Sequence, residues 1–366
     1  MREAGAVIVA KTNMAEWAFS PRQTVSSSFD TTRNAYAPDR VPAGSSGGTA
    51  SGVAASFGLV GLGTDTGNSI RGPSSHLALF GIRSTIGLVP LDGIIPLFAD
   101  RDVAGRTTRT VEDAARVLAV IAGRDTADPY TRLGPGRAED YTRHLDRDGL
   151  EGARVGVLRA LAEPAESDSA VLRLFDRAVA DLRAAGAEVV DPFRVPGLEE
   201  HLRADLTCPR FRYDVNRYLE SLGPDAPLRD VATVPETGEY APYVEEALES
   251  LTDEPDVHPS EWDPPCPDFW NHSGRQDYRD AVVAAMDSAR VDVVVYPTWT
   301  HPPAHIDSAR AGYEGDNSQL VAPDTGLPAA TVPMGFTRGA YPAGLQILAR
   351  PFAEGTIFRV AAAYER

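Results

Sequence analysis

The amino-acid sequence predicts an α/β fold, and three observations lead to this class. The chain has 366 residues, enough to bury a sizeable core, and its content of 43% hydrophobic and 24% charged residues is ordinary for a globular protein. Short apolar runs alternate with segments that have apolar residues at helical spacing. Residues 154–190 show the order strand, helix, strand, which predicts helices packed on a largely parallel sheet.

The first predicted elements lie in the N-terminal third of the chain. The first five residues are predicted to end a helix, with Gly5 as its C-cap, and residues 6–10 (AVIVA) to form a buried strand. Thr110 and Asp113 form a pair typical of a capping box, and apolar residues at helical spacing follow them. A helix is therefore predicted to begin after Thr110 and to end before Gly123.

The strand–helix–strand unit lies in the middle of the chain. Its strands are predicted at 154–158 and 187–190, and its helix at 168–185. An apolar stripe along this helix is expected to face the core and comprises Val171, Leu174, Phe175, Ala178, Val179 and Leu182. Residues 195–275 are polar and rich in proline, so little regular structure is predicted there; a variable cover over a binding site is expected.

The α/β pattern returns after this segment. A helix is predicted around 277–289, and strands at 291–296, 325–333 and 344–348 precede a final helix. No internal repeat or low-complexity linker interrupts the sequence. The length alone is compatible with two domains or with one large α/β domain.

Charge and composition exclude several classes of function. The formal net charge of −17 argues against nucleic acid and anionic membranes as partners, since both require basic patches. No apolar run is long enough to cross a bilayer and the N-terminus lacks a signal-peptide pattern, so a cytoplasmic location is expected. Cys208 and Cys266 are too few for a disulfide framework and are expected to be reduced, structural thiols.

Two serine-bearing glycine loops are the strongest functional signal in the sequence. Residues 44–48 (GSSGG) contain Ser45, and residues 63–73 (GTDTGNSIRGP) contain Ser69. The first loop lacks the lysine of a P-loop and the glycine spacing of a dinucleotide-binding loop. Taken alone, it is either an ordinary turn or a catalytic loop with an unusual backbone. Glycines beside both serines let backbone N–H groups approach a ligand, which suits a serine nucleophile with an oxyanion hole.

These loops, with the spacing between them, resemble the two serine loops of the amidase signature family. The resemblance covers nearly the whole chain except about 195–275, through the segments KTNMAE (11–16), GIRSTIG (81–87), TVEDAA (110–115), VVVYPT (293–298), GLPAATVP (326–333) and PAGLQ (342–346). It implies a single domain over residues 1–366, with a mixed central β-sheet flanked by helices on both faces. It also implies hydrolysis of a small carboxylic amide to an acid and ammonia or an amine, with no cofactor and no metal.

The resemblance also implies roles for residues of the two loops. Ser69 corresponds to the nucleophile that forms an acyl-enzyme, and Ser45 to a serine that follows a cis peptide bond and relays a proton. The oxyanion hole corresponds to the backbone N–H groups of Thr66, Gly67, Asn68 and Ser69. In that family, the two loops are supported by residues at the positions of Ser46, Asp65 and Arg71. The implied partner is a small-molecule amide substrate, and a homodimer is an open alternative.

Three departures from the family's pattern leave the activity of this chain open. The family's catalytic lysine precedes the first serine loop by several tens of residues, whereas the only lysine in this sequence, Lys11, corresponds to a different, structural position. Asn68 stands where glycine is common, and asparagine would be well tolerated if a positive φ were needed there. Residues 105–109 (GRTTR) replace a segment of different composition, which affects local packing.

Several hypotheses follow from these departures. Because the chain opens inside a predicted element, the first is a longer enzyme whose catalytic lysine precedes Met1, so that the domain is N-terminally incomplete. The second is a folded, catalytically inactive or impaired amidase-like remnant. The third is an enzyme that uses Lys11 or another base. A role as the glutaminase component of an amidotransferase complex is a further alternative.

Overall fold

A mixed eight-stranded β-sheet with helices on both faces forms the centre of the computed structural model, which describes residues 1–134, 136 and 139–366. The described strands are β1 (Val25–Ser26), β2 (Asp30–Thr31), β3 (Val60–Thr64), β4 (Phe80–Arg83), β5 (Ala104–Thr108), β6 (Arg154–Val157), β7 (Glu188–Val190), β8 (Val293–Pro297), β9 (Ala329–Thr337) and β10 (Tyr341–Leu348). Strands β1 and β2 pair separately as a short ribbon.

The strand order in the large sheet is β3-β5-β4-β9-β10-β8-β6-β7. Among the described strands of this sheet, the pairs β6–β7 and β6–β8 are parallel, and the remaining neighbouring pairs are antiparallel. The expectation of a largely parallel sheet is therefore wrong, because it extended one local unit to the whole sheet. The mixed sheet that the family resemblance implied is confirmed.

Helices lie on both faces of this sheet. The described α-helices are α1 (Gly47–Ala54), α2 (Arg71–His76), α3 (Val111–Ile121), α4 (Ser169–Ala184), α5 (Leu198–Arg203), α6 (Phe211–Ser221), α7 (Val234–Thr237), α8 (Glu245–Thr252), α9 (Ser273–Ala289), α10 (Ala322–Thr325) and α11 (Glu354–Tyr364). Within the described ranges, none of them is long and apolar enough to span a bilayer.

The side chains of β8 contribute to two hydrophobic clusters, one on each face of the sheet. Val293 and Val295 belong to a cluster that includes residues of α3, α4 and α11, whereas Val294 and Tyr296 belong to a cluster with residues of α9. Successive side chains of a strand point to opposite faces, so an almost continuous apolar run is expected where both faces are covered. The helices on each side thus bury opposite faces of the same sheet.

The strand–helix–strand unit and the capped helix are confirmed. All six residues of the predicted stripe on α4 are buried, and β6 and β7 flank this helix in the chain and pair in parallel. The N-cap of α3 is Thr110, whose hydroxyl oxygen accepts a hydrogen bond from the backbone N–H of Asp113 at 3.1 Å. Periodicity and capping are local signals, which is why these elements were readable from the sequence.

The predicted buried strand at residues 6–10 is wrong. The structure assigns no strand there, and Val7 and Val9 are 83% and 72% exposed. Within the described residues, this segment pairs with no neighbouring strand, and a strand requires a partner for its backbone N–H and C=O groups. Gly5 does cap a short helical turn, with a φ of 85°.

Two further expectations need correction. Residues 195–275 contain more regular structure than expected, including α6, whose Phe211, Val215 and Leu219 are buried on one face. Cys208 and Cys266, expected to be reduced, form a disulfide. They are 58 residues apart, and only the folded arrangement of this segment places them side by side.

Most of the unusual segment 105–109 is buried in the sheet, whereas Arg109 is exposed. Residues 105–108 belong to β5, and Arg106 is fully buried. Its Nε donates to the carbonyl of Ala114 at 3.1 Å, and its guanidinium lies 5.6 Å from the centre of the Phe358 ring. Burial lowers the pKa of Arg106 to about 9. The departure from the family's pattern is thus accommodated by a buried arginine that stacks on an aromatic ring.

Candidate active site

The two serine loops meet at the start of α1 and α2. The Gly44–Ser45 peptide bond is cis, as the resemblance implied for this serine. The backbone N–H of Ser46 donates to the carbonyl of Ser69 at 3.2 Å, which joins the loops directly. Ser46 also donates through its hydroxyl to the carbonyl of Thr64 at 3.3 Å. The structure therefore brings together both loops that the sequence singled out.

Glycine is required in the first loop by close backbone approaches. A Cβ atom at Gly44 would lie 2.3 Å from the carbonyl oxygen of Ser20 and 2.4 Å from that of Gln23. A Cβ atom at Gly47 would lie 2.2 Å from the hydroxyl oxygen of Thr24. Because two of these contacts are with backbone atoms, no rotation of a side chain could relieve them.

Asp65 anchors the second loop as a fully buried carboxylate. Its Oδ2 accepts from the backbone N–H groups of Ile70 and Arg71 at 3.1 and 3.3 Å, and its Oδ1 accepts from the guanidinium groups of Arg71 and Arg83 at 3.0 and 3.2 Å. Burial opposes ionisation of Asp65, but the two guanidinium groups outweigh it and lower its pKa to about 2. Arg71 also donates to the carbonyl of Gly67 at 2.7 Å, so both ends of the loop are held.

The backbone between Asp65 and Ile70 presents free donors. Among the described residues, the backbone N–H groups of residues 66–69 donate no hydrogen bond, whereas those of Asp65 and Ile70 do. Asn68 is not among the residues with positive φ, so its replacement of glycine needs no left-handed backbone. Consecutive unpaired N–H groups form a site that can bind a carbonyl oxygen or an oxyanion.

Two acids that sequence analysis missed hold side chains of this loop. The Thr66 hydroxyl donates to Asp102 Oδ1 at 2.5 Å, and Asn68 Nδ2 donates to Asp316 Oδ2 at 2.9 Å. Removal from water raises the pKa of Asp102 to about 7 and that of Asp316 to about 6, although their hydrogen bonds act in the opposite direction. Neither acid lies in a recognisable motif, so the sequence carried no signal for these contacts.

A cavity of about 230 Å³ opens beside the second loop. Residues 66–69 form one wall, and Gln319 packs against Gly67, where a Cβ atom would lie 1.9 Å from its Oε1. Most other lining residues are apolar and comprise Ala18, Phe19, Pro21, Leu97, Phe98, Ala247 and Leu251, together with Arg101. Ala247 and Leu251 belong to α8, so part of the segment 195–275 does line this cavity.

Ser45 and Lys11 differ sharply in their surroundings. The Ser45 hydroxyl oxygen is buried and has no hydrogen-bond partner within the part of the chain that the structure describes. Lys11 is exposed and does not line the cavity. The neighbouring Thr12 donates to or accepts from Thr49 at 2.6 Å, which ties this segment to α1. The segment around Lys11 thus contacts α1, but the amine of Lys11 does not line the cavity.

Comparison with known proteins gives one family and several relatives. The model of the Amidase family matches residues 1–358. The A subunit of the glutamyl-tRNA(Gln) amidotransferase of Acidobacterium capsulatum is 34% identical over 384 residues, which cover 99% of this chain and 76% of that protein.

Among solved structures, this chain is similar to a peptide amidase and to an amidotransferase A subunit. The native peptide amidase of Stenotrophomonas maltophilia matches with a TM-score of 0.82 and 33% identity, over 100% of this chain and 74% of that chain. The A subunit of the glutamyl-tRNA(Gln) amidotransferase of Thermotoga maritima matches with a TM-score of 0.73 and 27% identity, over 99% of this chain and 74% of that chain. The fold of this chain is therefore similar to the folds of a peptide amidase and of an amidotransferase A subunit.

Proposed function

Because this chain belongs to the Amidase family, we propose that it hydrolyses a small carboxylic amide to an acid and ammonia or an amine through a serine acyl-enzyme. The observation that carries this proposal is the placement of Ser69 on the wall of a cavity, next to the backbone N–H groups of residues 66–69, which have no acceptor within the described residues. A nucleophile and oxyanion donors on one loop suit acyl transfer.

In this mechanism, the Ser69 oxygen attacks the carbonyl carbon of the amide and the N–H groups of residues 66–69 bind the resulting oxyanion. Ser45 relays the Ser69 proton towards the leaving nitrogen; this step requires a hydrogen bond between the two hydroxyls, since within the described residues the buried Ser45 hydroxyl has no partner. The C–N bond breaks and the amine leaves with the proton. Water then attacks the acyl-enzyme, which releases the acid and restores the Ser69 hydroxyl. Asp65, Arg71 and Ser46 support the loops.

The lining of the cavity favours a hydrophobic or aryl acyl group. Phe19, Leu97, Phe98 and Leu251 supply apolar surface next to the oxyanion donors. Apolar walls with a few placed polar groups are typical of sites that bind small molecules by their carbon skeleton. Aryl amides and amides of large aliphatic acids are the substrate classes to test first.

A second candidate function is the binding of amides without turnover. The position of Lys11 favours this alternative, because the only lysine in the sequence is exposed outside the cavity. A serine pair without an adjacent base would be a weak nucleophile. Similarity to the amidotransferase relatives favours a third candidate, a glutaminase that acts in a complex; glutamine hydrolysis would separate it from an aryl amidase.

The test is covalent labelling by a fluorophosphonate together with turnover of acyl p-nitroanilides. We expect labelling at Ser69, and we expect Ser69→Ala to abolish labelling and to lower turnover by about three orders of magnitude or more. Ser288→Ala is the control, because Ser288 is exposed on α9 and lies outside the cavity. Absence of both labelling and turnover would leave amide binding as the function. Unchanged turnover in Lys11→Ala would exclude Lys11 as the base.

A further inference from the structure

The side chain of Asn68 is held by a carboxylate that the proposed mechanism does not use. Asn68 Nδ2 donates to Asp316 Oδ2 at 2.9 Å and to the carbonyl of Pro21 at 3.1 Å. The Tyr313 hydroxyl donates to the same Oδ2 at 2.9 Å. The other oxygen of Asp316 accepts from the backbone N–H of Ser318 at 3.2 Å and from the Ser318 hydroxyl. Asp316 thus holds Asn68 while its own carboxyl accepts three further hydrogen bonds, one from Tyr313 and two from Ser318.

A glycine makes room for this arrangement. A Cβ atom at Gly72 would lie 2.8 Å from Asn68 Nδ2 and 3.2 Å from the ring of Trp299. Trp299 in turn packs edge-on against Tyr313, with ring centroids 5.5 Å apart. The Asn68 amide therefore lies in a gap that exists only because residue 72 has no side chain. It cannot rotate freely without losing its acceptors.

The backbone N–H of Asn68 is one of the N–H groups of residues 66–69 for which the described part of the chain supplies no acceptor. A side chain held at its amide restricts the rotation of the peptide units on either side of its Cα. We propose that Asp316 is a positioning residue that acts through Asn68 and keeps the backbone N–H groups of Asn68 and Ser69 directed into the cavity. This inference rests on the proposed function, since the donors matter only if an oxyanion forms there.

The first test is a double-mutant cycle with Asn68→Gly, Asp316→Asn and the double variant. In Asp316→Asn, neither orientation of the new amide can accept from all the donors that surround Asp316. We expect Asp316→Asn to lower kcat and the rate of Ser69 labelling about tenfold with little change in KM. When Asn68 is already glycine, we expect Asp316→Asn to change kcat and the rate of Ser69 labelling less than twofold. Asp307→Asn is the control, because Asp307 is exposed in a nearby segment.

The second test does not depend on activity. In the 15N-labelled full chain, the side-chain amide signals of Asn68 are identified by their loss in Asn68→Gly. We expect these signals to shift with pH, with a midpoint near the Asp316 pKa of about 6, and the shift to vanish in Asp316→Asn. Charged or titratable groups around the Asp316 carboxyl include Arg71, Tyr313 and Arg22, which is stacked on the Tyr313 ring. His301 lies close as well: its Nδ1 is 2.7 Å from where a Cβ atom of the adjacent Gly315 would lie, and its Nε2 is 3.5 Å from Glu314. Burial raises the pKa of Tyr313, so its hydroxyl stays neutral near the midpoint of the shift. Because histidines can change charge in the same pH range, the pH series is repeated in His301→Asn, where we expect the shift to persist.

Each outcome decides the inference. An equal loss of rate in both backgrounds would show that Asp316 does not act through Asn68, and would overturn it. Asn68 side-chain amide signals that are the same in Asp316→Asn as in the native chain would overturn it as well. If Ser69 is not labelled in the native chain, the proposed hydrolysis fails, and the pH dependence of the Asn68 signals alone decides whether Asp316 holds this side chain.

Discussion

At Gly44, the absence of a side chain is a structural requirement. A Cβ atom there would lie within 2.4 Å of two backbone carbonyl oxygens. We therefore expect Gly44→Ala to lower the free energy of unfolding by about 3 kcal/mol or more, because the backbone segments that meet at this loop would have to move apart. Urea denaturation followed by circular dichroism measures this change.

Gly52 is the matched control for this prediction. It lies in α1, and apart from the adjacent backbone of that helix, no atom of the described residues lies within 4 Å of where its Cβ atom would be. We expect Gly52→Ala to leave stability unchanged or to raise it by up to about 1 kcal/mol, since alanine is the better helix former. Similar losses in Gly44→Ala and Gly52→Ala would contradict the view that crowding at the serine loop requires glycine.

Among the elements, α3 allows a test of whether the capping pair predicted from the sequence stabilises its helix. Thr110 caps this helix by accepting from the backbone N–H of Asp113, and its hydroxyl donates to the Asp113 carboxylate at 2.7 Å. We expect Thr110→Ala to cost about 1 kcal/mol of stability, because it leaves that N–H without its acceptor. Thermal unfolding monitored by calorimetry measures the loss.

The conservative variant Thr110→Ser keeps the hydroxyl and serves as the control. It should lose well under half of what Thr110→Ala loses, since serine caps helices at least as well as threonine. Equal losses in both variants would assign the effect to the methyl group of Thr110 and not to the cap. The helix would then depend mainly on the burial of Val111, Ala114 and Leu118.

At the scale of the whole molecule, Asp102 couples stability to pH. Its carboxyl accepts from Thr66 and from the backbone N–H groups of Leu97 and Phe98, and burial raises its pKa from 3.8 to about 7. The folded protein therefore keeps a proton that the unfolded chain has already lost. The contribution of Asp102 to stability is largest at low pH, falls as the pH rises towards 7, and is constant above it.

Asp102→Asn removes this titration, since the amide side chain carries no acid. We expect the stability of the native chain, relative to Asp102→Asn, to fall by about 1 kcal/mol per pH unit between pH 5 and 7. Urea denaturation at several pH values measures the difference. Exposed Asp92 supplies the control Asp92→Asn, for which we expect a constant difference. A constant difference in Asp102→Asn as well would contradict the proposed ionisation of Asp102.

The sequence by itself determines the features that depend on neighbours in the chain. The buried stripe on α4, the cap at Thr110 and the parallel pair β6–β7 all follow from local spacing. The two serine loops are contiguous motifs, so the family and the mixed sheet were recognisable before any contact was known. The same local signals failed at residues 6–10, because an apolar run becomes a buried strand only if another strand lies beside it.

Only the tertiary structure decided which distant residues meet. Thr66 and Asp102 are 36 positions apart and Asn68 and Asp316 are 248 apart, yet these contacts hold the loop that carries Ser69. The Cys208–Cys266 disulfide and the strand order of the sheet were equally unreadable. The physical reason is that hydrogen bonds and burial act between neighbours in space, and the packing of the whole chain determines which residues become neighbours.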